Sequence, residues 1–178
     1  MRCFVAIDMS TPSVEACLES LKNLGAPIRV VAPENLHVTL KFFGEIREDS
    51  VPGITAAMDR ALAGFKPFEA SLKGLGVFPS TKFMRVLWVG ITNGRIVEMQ
   101  RALDSEFHKL GFPREKRFHP HITLARIKSP RGLGKVRDFL RRHADEEYGT
   151  VSVDRVELKK SVLTPEGPIY SGIFVRRL

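Results

Sequence analysis

The chain has 178 residues, 43% apolar and 27% charged, the size and balance of one compact domain or of two small lobes sharing a core. Its 28 Lys and Arg against 20 Asp and Glu give a formal charge of +8, which points to an anionic partner such as RNA, DNA or a phosphorylated metabolite. Two cysteines make no disulfide framework, Met1–Asp8 is too short for the apolar region of a signal peptide, and no apolar run reaches the ~18 residues of a membrane span, so a cytoplasmic protein with no membrane partner is expected.

Residues 3–8 have the pattern of a buried strand. Thr11 then stands where it can cap a helix with Pro12 at its first position, and Val14, Cys17, Leu18, Leu21 and Leu24 fall on one face before Gly25 and Pro27 stop it. Cys3 and Cys17 share the spacing of their apolar neighbours and are expected as reduced core residues. A basic and apolar connection leads to a strand over residues 36–43, ended by Gly44, that contains His37-Val38-Thr39-Leu40. A second helix is expected over 51–65, then one or two strands over Phe68–Val77 bent at Gly74 and Gly76.

From Arg85 the order starts again. The strand Leu87–Thr92 follows Cys3–Asp8 by 84 residues, and His121-Ile122-Thr123-Leu124 follows the first His-Thr stretch by the same offset. Between them Leu103, Phe107, Leu110, Gly111 and Pro113 match Cys17, Leu21, Leu24, Gly25 and Pro27 at an offset of 86. A third helical pattern (Leu133, Val136, Phe139, Leu140) and strands near 150–163 and 169–177 complete the chain. The sequence thus describes one bilobal domain, 1–178, with approximate repeats 1–82 and 83–178. Its expected fold is α+β, two lobes of antiparallel sheet plus helices related by a pseudo-two-fold axis around a central cleft.

Side chains alternate along a strand, so the His and Thr of each copy share one face roughly 6.5 to 7 Å apart, over an apolar underside. If the copies face each other, His37 and His121 flank a small anionic centre and the hydroxyls of Thr39 and Thr123 reach its free oxygens. In-line displacement at phosphorus needs one group to take a proton from the attacking oxygen and another to protonate the leaving oxygen, and imidazole can do either near neutral pH. The five histidines follow no metal-binding spacing, so neither metal nor cofactor is expected. Lys41 shares the face of His37 and is expected at the groove's rim, His119 at the edge of its strand, and His108 and His143 on solvated helix faces. Phe4 and Trp88, equivalent in the repeat, are expected in the core. The stretch Arg114–Phe118 could steer RNA and stack a base, or form a solvated loop with one buried Phe.

With Phe4–Ile7, Leu36–Gly44, Phe78-Pro79-Ser80, Arg85–Gly90, Phe118 with Pro120–Arg126, and Ser161–Tyr170, the chain resembles the two-histidine (2H) phosphoesterase superfamily. The likeness is to its RNA 2′,3′-cyclic phosphodiesterase branch, also called the 2′-5′ RNA ligase family, and covers essentially the whole length. It implies hydrolysis of RNA 2′,3′-cyclic phosphate ends, tRNA fragments among them, to 2′-phosphomonoesters, and a reversible 2′-5′ ligase activity. In the same pattern His37 is the proton donor to the ribose 3′ oxygen, His121 the proton acceptor from water, and Thr39 and Thr123 hold the phosphate. Arg126 corresponds to a family arginine near the phosphate, although strict alternation from His121 sets it on the opposite face unless a twist or bulge turns it back. No obligate protein partner is implied. Two other readings fit the same residues: a phosphodiesterase for a small cyclic phosphate, such as ADP-ribose 1″,2″-cyclic phosphate or a cyclic oligonucleotide, and a non-catalytic nucleotide- or RNA-binding module.

Overall fold

A computed structural model describes residues 1–178. The elements run β1 (Arg2–Asp8), α1 (Pro12–Lys22), β2 (Ile28–Val30), β3 (His37–Glu45), α2 (Val51–Leu62), β4 (Phe68–Pro79), β5 (Met84–Ile91), α3 (Gly94–Lys109), β6 (His121–Ile127), α4 (Gly134–Arg142), β7 (Glu147–Val153), β8 (Arg155–Thr164) and β9 (Gly167–Arg177). Local chemistry explains the helix that opens the chain. Thr11 Oγ1 accepts from the Val14 amide at 3.1 Å, Pro12 starts the first turn, and Val14, Cys17, Leu18 and Leu21 are buried along one stripe. Both cysteines are buried and free.

The strands form one nine-stranded antiparallel sheet in the order β7-β4-β5-β6-β3-β1-β8-β9, with β2 added against β6. Outward from the central β3–β6 contact, one side runs β6, β5, β4 and the other β3, β1, β8. The fold is therefore α+β, and its two flanks exchange their outer strands: β4, from the first half of the chain, lies beside β5, and β8, from the second half, beside β1. The undersides of the motif strands, Val38, Leu40, Ile122 and Leu124, enter the same core as Met58, Leu62, Leu103 and Phe107 from α2 and α3. Burying each such side chain contributes about 1.5–3 kcal/mol, so the motif strands are fixed from below while their upper face stays free for chemistry.

Three boundaries differ from the sequence reading. The helix expected over 51–65 ends at Leu62, the last residue of the buried stripe Ile54, Ala57, Met58 and Leu62. The expected Phe68–Val77 stretch is one strand that runs on to Pro79, and the bend expected at Gly74 (φ +77°) is a shift in its pairing with β5. The connection before the first motif contains β2, three residues too few to show a period.

Candidate active site

β3 and β6 meet antiparallel at Val38 and Ile122, the middle residues of the two motifs. Continuing that register one residue each way sets His37 beside Thr123 and Thr39 beside His121. The four polar side chains then form a square on one face, with the imidazoles on its diagonal. Each ring is held in the same way. His37 Nδ1 bonds to the carbonyl of Asn35 at 2.6 Å, and His121 Nδ1 to the carbonyl of His119 at 2.7 Å, two residues upstream in both copies. A carbonyl can only accept, so Nδ1 carries the proton in each ring and Nε2 is left free to take or give one. At His37 the Thr39 hydroxyl donates to that Nε2 at 3.1 Å.

Alternation along both strands is broken at the same place. Against β1, Val5 pairs with Lys41 and Ala6 with Thr39, so Leu40 is an extra residue. Against β5, Leu87 pairs with Ala125 and Trp88 with Thr123, so Leu124 is one too. A bulge of this kind reverses the facing of everything beyond it. Arg126 is thereby returned to the motif face, where it lines the cleft, and its equivalent Phe42 becomes 46% exposed in the same cleft. Lys41 is turned the other way. It is not at the rim but buried at 3% exposure, its ammonium 2.9 Å from Asp104 of α3, 3.4 Å from Glu115 and 2.5 Å from the Pro113 carbonyl.

Above the square lies a cavity of about 690 Å³ that His37, Thr39, Thr123 and Arg126 help to line, together with Arg2, Arg29, Phe42 and Tyr170. His121 stands outside its lining. Arg29 on β2 pairs across from Arg126, and Arg2 lies 4.8 Å from the Phe42 ring centroid, so cations and an aromatic face crowd one end. Aromatic rings flank both imidazoles. Phe4 and Tyr170 lie 5.1 and 5.3 Å from His37, and Phe78 and Trp88 lie 4.9 and 6.2 Å from His121. Phe4 is buried as expected, whereas Trp88 is only half-buried and lies outside the core expected for it; both wall the motif histidines. His119 is exposed and packs on Trp88 at 4.7 Å, on the His121 side. Phe118 packs against the core, and Glu115 ties the basic stretch to α3 through its amide on Asp104 at 3.2 Å. His108 is exposed, whereas His143 lies against Phe139 at 4.3 Å.

Burial lowers the pKa of both motif histidines below the ordinary imidazole value. At His37 the backbone bond to Asn35 opposes this, Lys159 lowers the value further and the Asp8 carboxylate raises it. At His121 the bond to His119 opposes it, while the side chains of His119 and Arg126 only lower it. No cluster of three or more His, Cys, Asp or Glu side chains suited to a metal ion is formed.

The family model of the 2′-5′ RNA ligase superfamily matches residues 11–162. The chain belongs to that superfamily. It is 40% identical over its full length to a protein of Methanothermobacter thermautotrophicus, covering 99% of it, and 41% identical over 88% of its length to one of Aeropyrum pernix, covering 89%. Both relatives are called RNA 2′,3′-cyclic phosphodiesterase. Among solved structures, TT0787 of Thermus thermophilus superposes with a TM-score of 0.83 at 29% identity, covering 100% of this chain and 98% of that one. LigT of E. coli in complex with 3′-AMP shares the fold, with a TM-score of 0.73 at 24% identity over 99% of this chain and 96% of that one. The sequence pointed to His37, Thr39, His121, Thr123 and Arg126, and the structure adds Arg2 and Arg29 to the lining of the cleft. Arg2 carried a signal, since it lies two residues before Phe4 on the face that meets His37; Arg29, inside a three-residue strand, carried none.

Proposed function

We propose that this protein is a hydrolase that opens 2′,3′-cyclic phosphates at RNA ends, leaving 2′-phosphomonoesters, by acid-base catalysis between His37 and His121 without a metal. The observation that carries this reading is the diagonal pair of imidazoles, each with Nδ1 tied to a backbone carbonyl, which leaves Nε2 as the atom that exchanges protons. In-line attack needs a base on one side of phosphorus and an acid on the other. The assignment of His37 as the acid that protonates the departing 3′ oxygen, and of His121 as the base that takes a proton from water, follows the family pattern; burial lowers both rings, and Lys159 and Asp8 act on His37 in opposite directions. Thr39, Thr123 and Arg126 bind the phosphate, and Thr39 does so by turning its hydroxyl from His37 to a phosphate oxygen.

The names borne by relatives of near-complete overlap support the substrate class, and Arg2, Arg29 and Arg126 around the cleft favour an RNA end, tRNA fragments included, over a small cyclic phosphate. Run in reverse with a 5′-hydroxyl in place of water, the same groups form a 2′-5′ linkage. No helix is long and apolar enough to cross a membrane. A test is to incubate the protein and a chelator with an oligonucleotide ending in a 2′,3′-cyclic phosphate. The expected product is the 2′-phosphate at an undiminished rate; a 3′-phosphate, or arrest by chelator, overturns the reading.

The pH profile of kcat/KM is expected to be a bell, since activity falls at low pH as the base is protonated and at high pH as the acid loses its proton. Both groups have lowered pKa values in the free enzyme, so the bell lies on the acid side of the usual imidazole value of about 6.5. A bound phosphate anion favours the protonated rings, so the kcat profile shifts to higher pH than that of kcat/KM. A flat kcat/KM profile from about pH 5 to 9 is the contrary result.

A further inference from the structure

A second cavity, of about 240 Å³, shares no residue with the cleft. It lies on the helix side of the sheet, between one face of α3 and the segment 114–118 that leads toward His121, where Lys41 meets Asp104. Gln100 of α3 lines this cavity at 3% exposure, yet its Nε2 has no hydrogen-bond partner in the protein. A buried donor left unmade is costly, so a buried amide without a partner needs a reason. Charge around the cavity is also unbalanced. The Asp104 and Glu115 carboxylates share the Lys41 ammonium, whereas Arg101, Arg114 and Lys116 are exposed and form no ion pair. Four positive charges thus stand against two negative ones, with the unpaired cations toward solvent and the amide within.

We propose that this cavity binds a free nucleoside monophosphate, with its phosphoryl group on Arg101, Arg114 and Lys116 and its base reaching Gln100. Guanidinium groups meet phosphate with parallel N–H donors, and a glutamine amide offers the adjacent donor and acceptor that match a base edge such as that of adenine. Val97 and Phe118, both half-buried, supply the apolar surface that a base needs. The volume equals that of about eight molecules of liquid water, room for one base with its sugar. A free nucleotide suits the place better than a strand does, because an RNA end held in the cleft would have to pass round the sheet to reach it. The site stands apart from the chemistry of the cleft and does not depend on it.

Amide NMR of the nitrogen-15-labelled protein reads the two sites separately in one titration. Addition of 5′-AMP is expected to shift the Gln100 side-chain amide and the Lys116 and Phe118 backbone amides saturably, while the amides of Thr39 and Thr123 report any binding in the cleft. Gln100→Leu raises the half-saturating concentration at Lys116 about tenfold, the loss of one buried hydrogen bond, and leaves the Thr123 curve where it was. Arg114→Ala combined with Lys116→Ala, two exposed positions that do not put folding at stake, raises it at Phe118 at least as far. Inorganic phosphate binds at the same signals at least tenfold more weakly than 5′-AMP, and an oligoadenylate binds no more tightly. No shift at these three residues, shifts indifferent to both variants, or equal affinity for inorganic phosphate each overturn the site. Tighter binding of the oligoadenylate overturns the free nucleotide as its occupant.

Discussion

Replacing His37 or His121 by alanine is expected to lower kcat/KM for 2′,3′-cyclic phosphate hydrolysis by about a hundred- to ten-thousandfold each, the usual worth of one positioned acid or base. The two losses should not multiply in the double variant, because one proton transfer does little without the other. The variants should also differ from each other in a way that loss of fold could not imitate. His121→Ala removes the group whose protonation shuts activity off at low pH, so its residual activity loses the acid limb. His37→Ala loses the alkaline limb. Thermal unfolding should move little, since each ring is held by one carbonyl and lies above the core, not in it. Near-wild-type turnover in either variant, or the two limbs lost in the opposite pairing, would remove the assignment of acid and base.

The largest effect on stability is expected at Lys41. Its ammonium joins β3, which carries His37, to Asp104 on α3 and to Pro113 and Glu115 in the segment that leads to His121. Lys41→Met leaves the Asp104 carboxylate buried without its cation, a cost of about 3–5 kcal/mol when one partner of a buried pair is removed. For a chain of this length that corresponds to a fall in Tm of roughly 6–20 °C. The double variant Lys41→Met, Asp104→Leu should recover much of the loss, because two apolar side chains replace two charges that had both been taken out of water. A single variant within about 1 kcal/mol of the wild type would show that the pair is solvated or that Asp104 is satisfied by the Glu115 amide alone.

Local features were legible in the sequence because local forces set them. Thr11 with Pro12 begins α1 wherever the helix docks, and the His-x-Thr alternation follows from strand geometry before any partner is known. Repetition at one offset did the rest: two equal polar pairs over equal apolar undersides invite a shared site. Alternation failed where backbone pairing departs from it. No residue type marks Leu40 and Leu124 as bulged, because the extra residue is set by how β3 fits β1 and how β6 fits β5.

The sequence by itself determined which residues can do the chemistry, the two imidazoles and two hydroxyls, and that each pair is carried on a strand with a buried underside. Tertiary structure decided where the charges go. Two strand bulges sent Lys41 into the core to meet Asp104 and brought Arg126 round to the cleft, and the exchange of β4 and β8, the latter carrying β9, set Phe78 beside Trp88 on one flank and Tyr170 beside Phe4 on the other. The physical reason is that side-chain facing along a strand is a local period until a neighbouring strand breaks it, and a neighbour drawn from far along the chain leaves no trace in the residues it redirects.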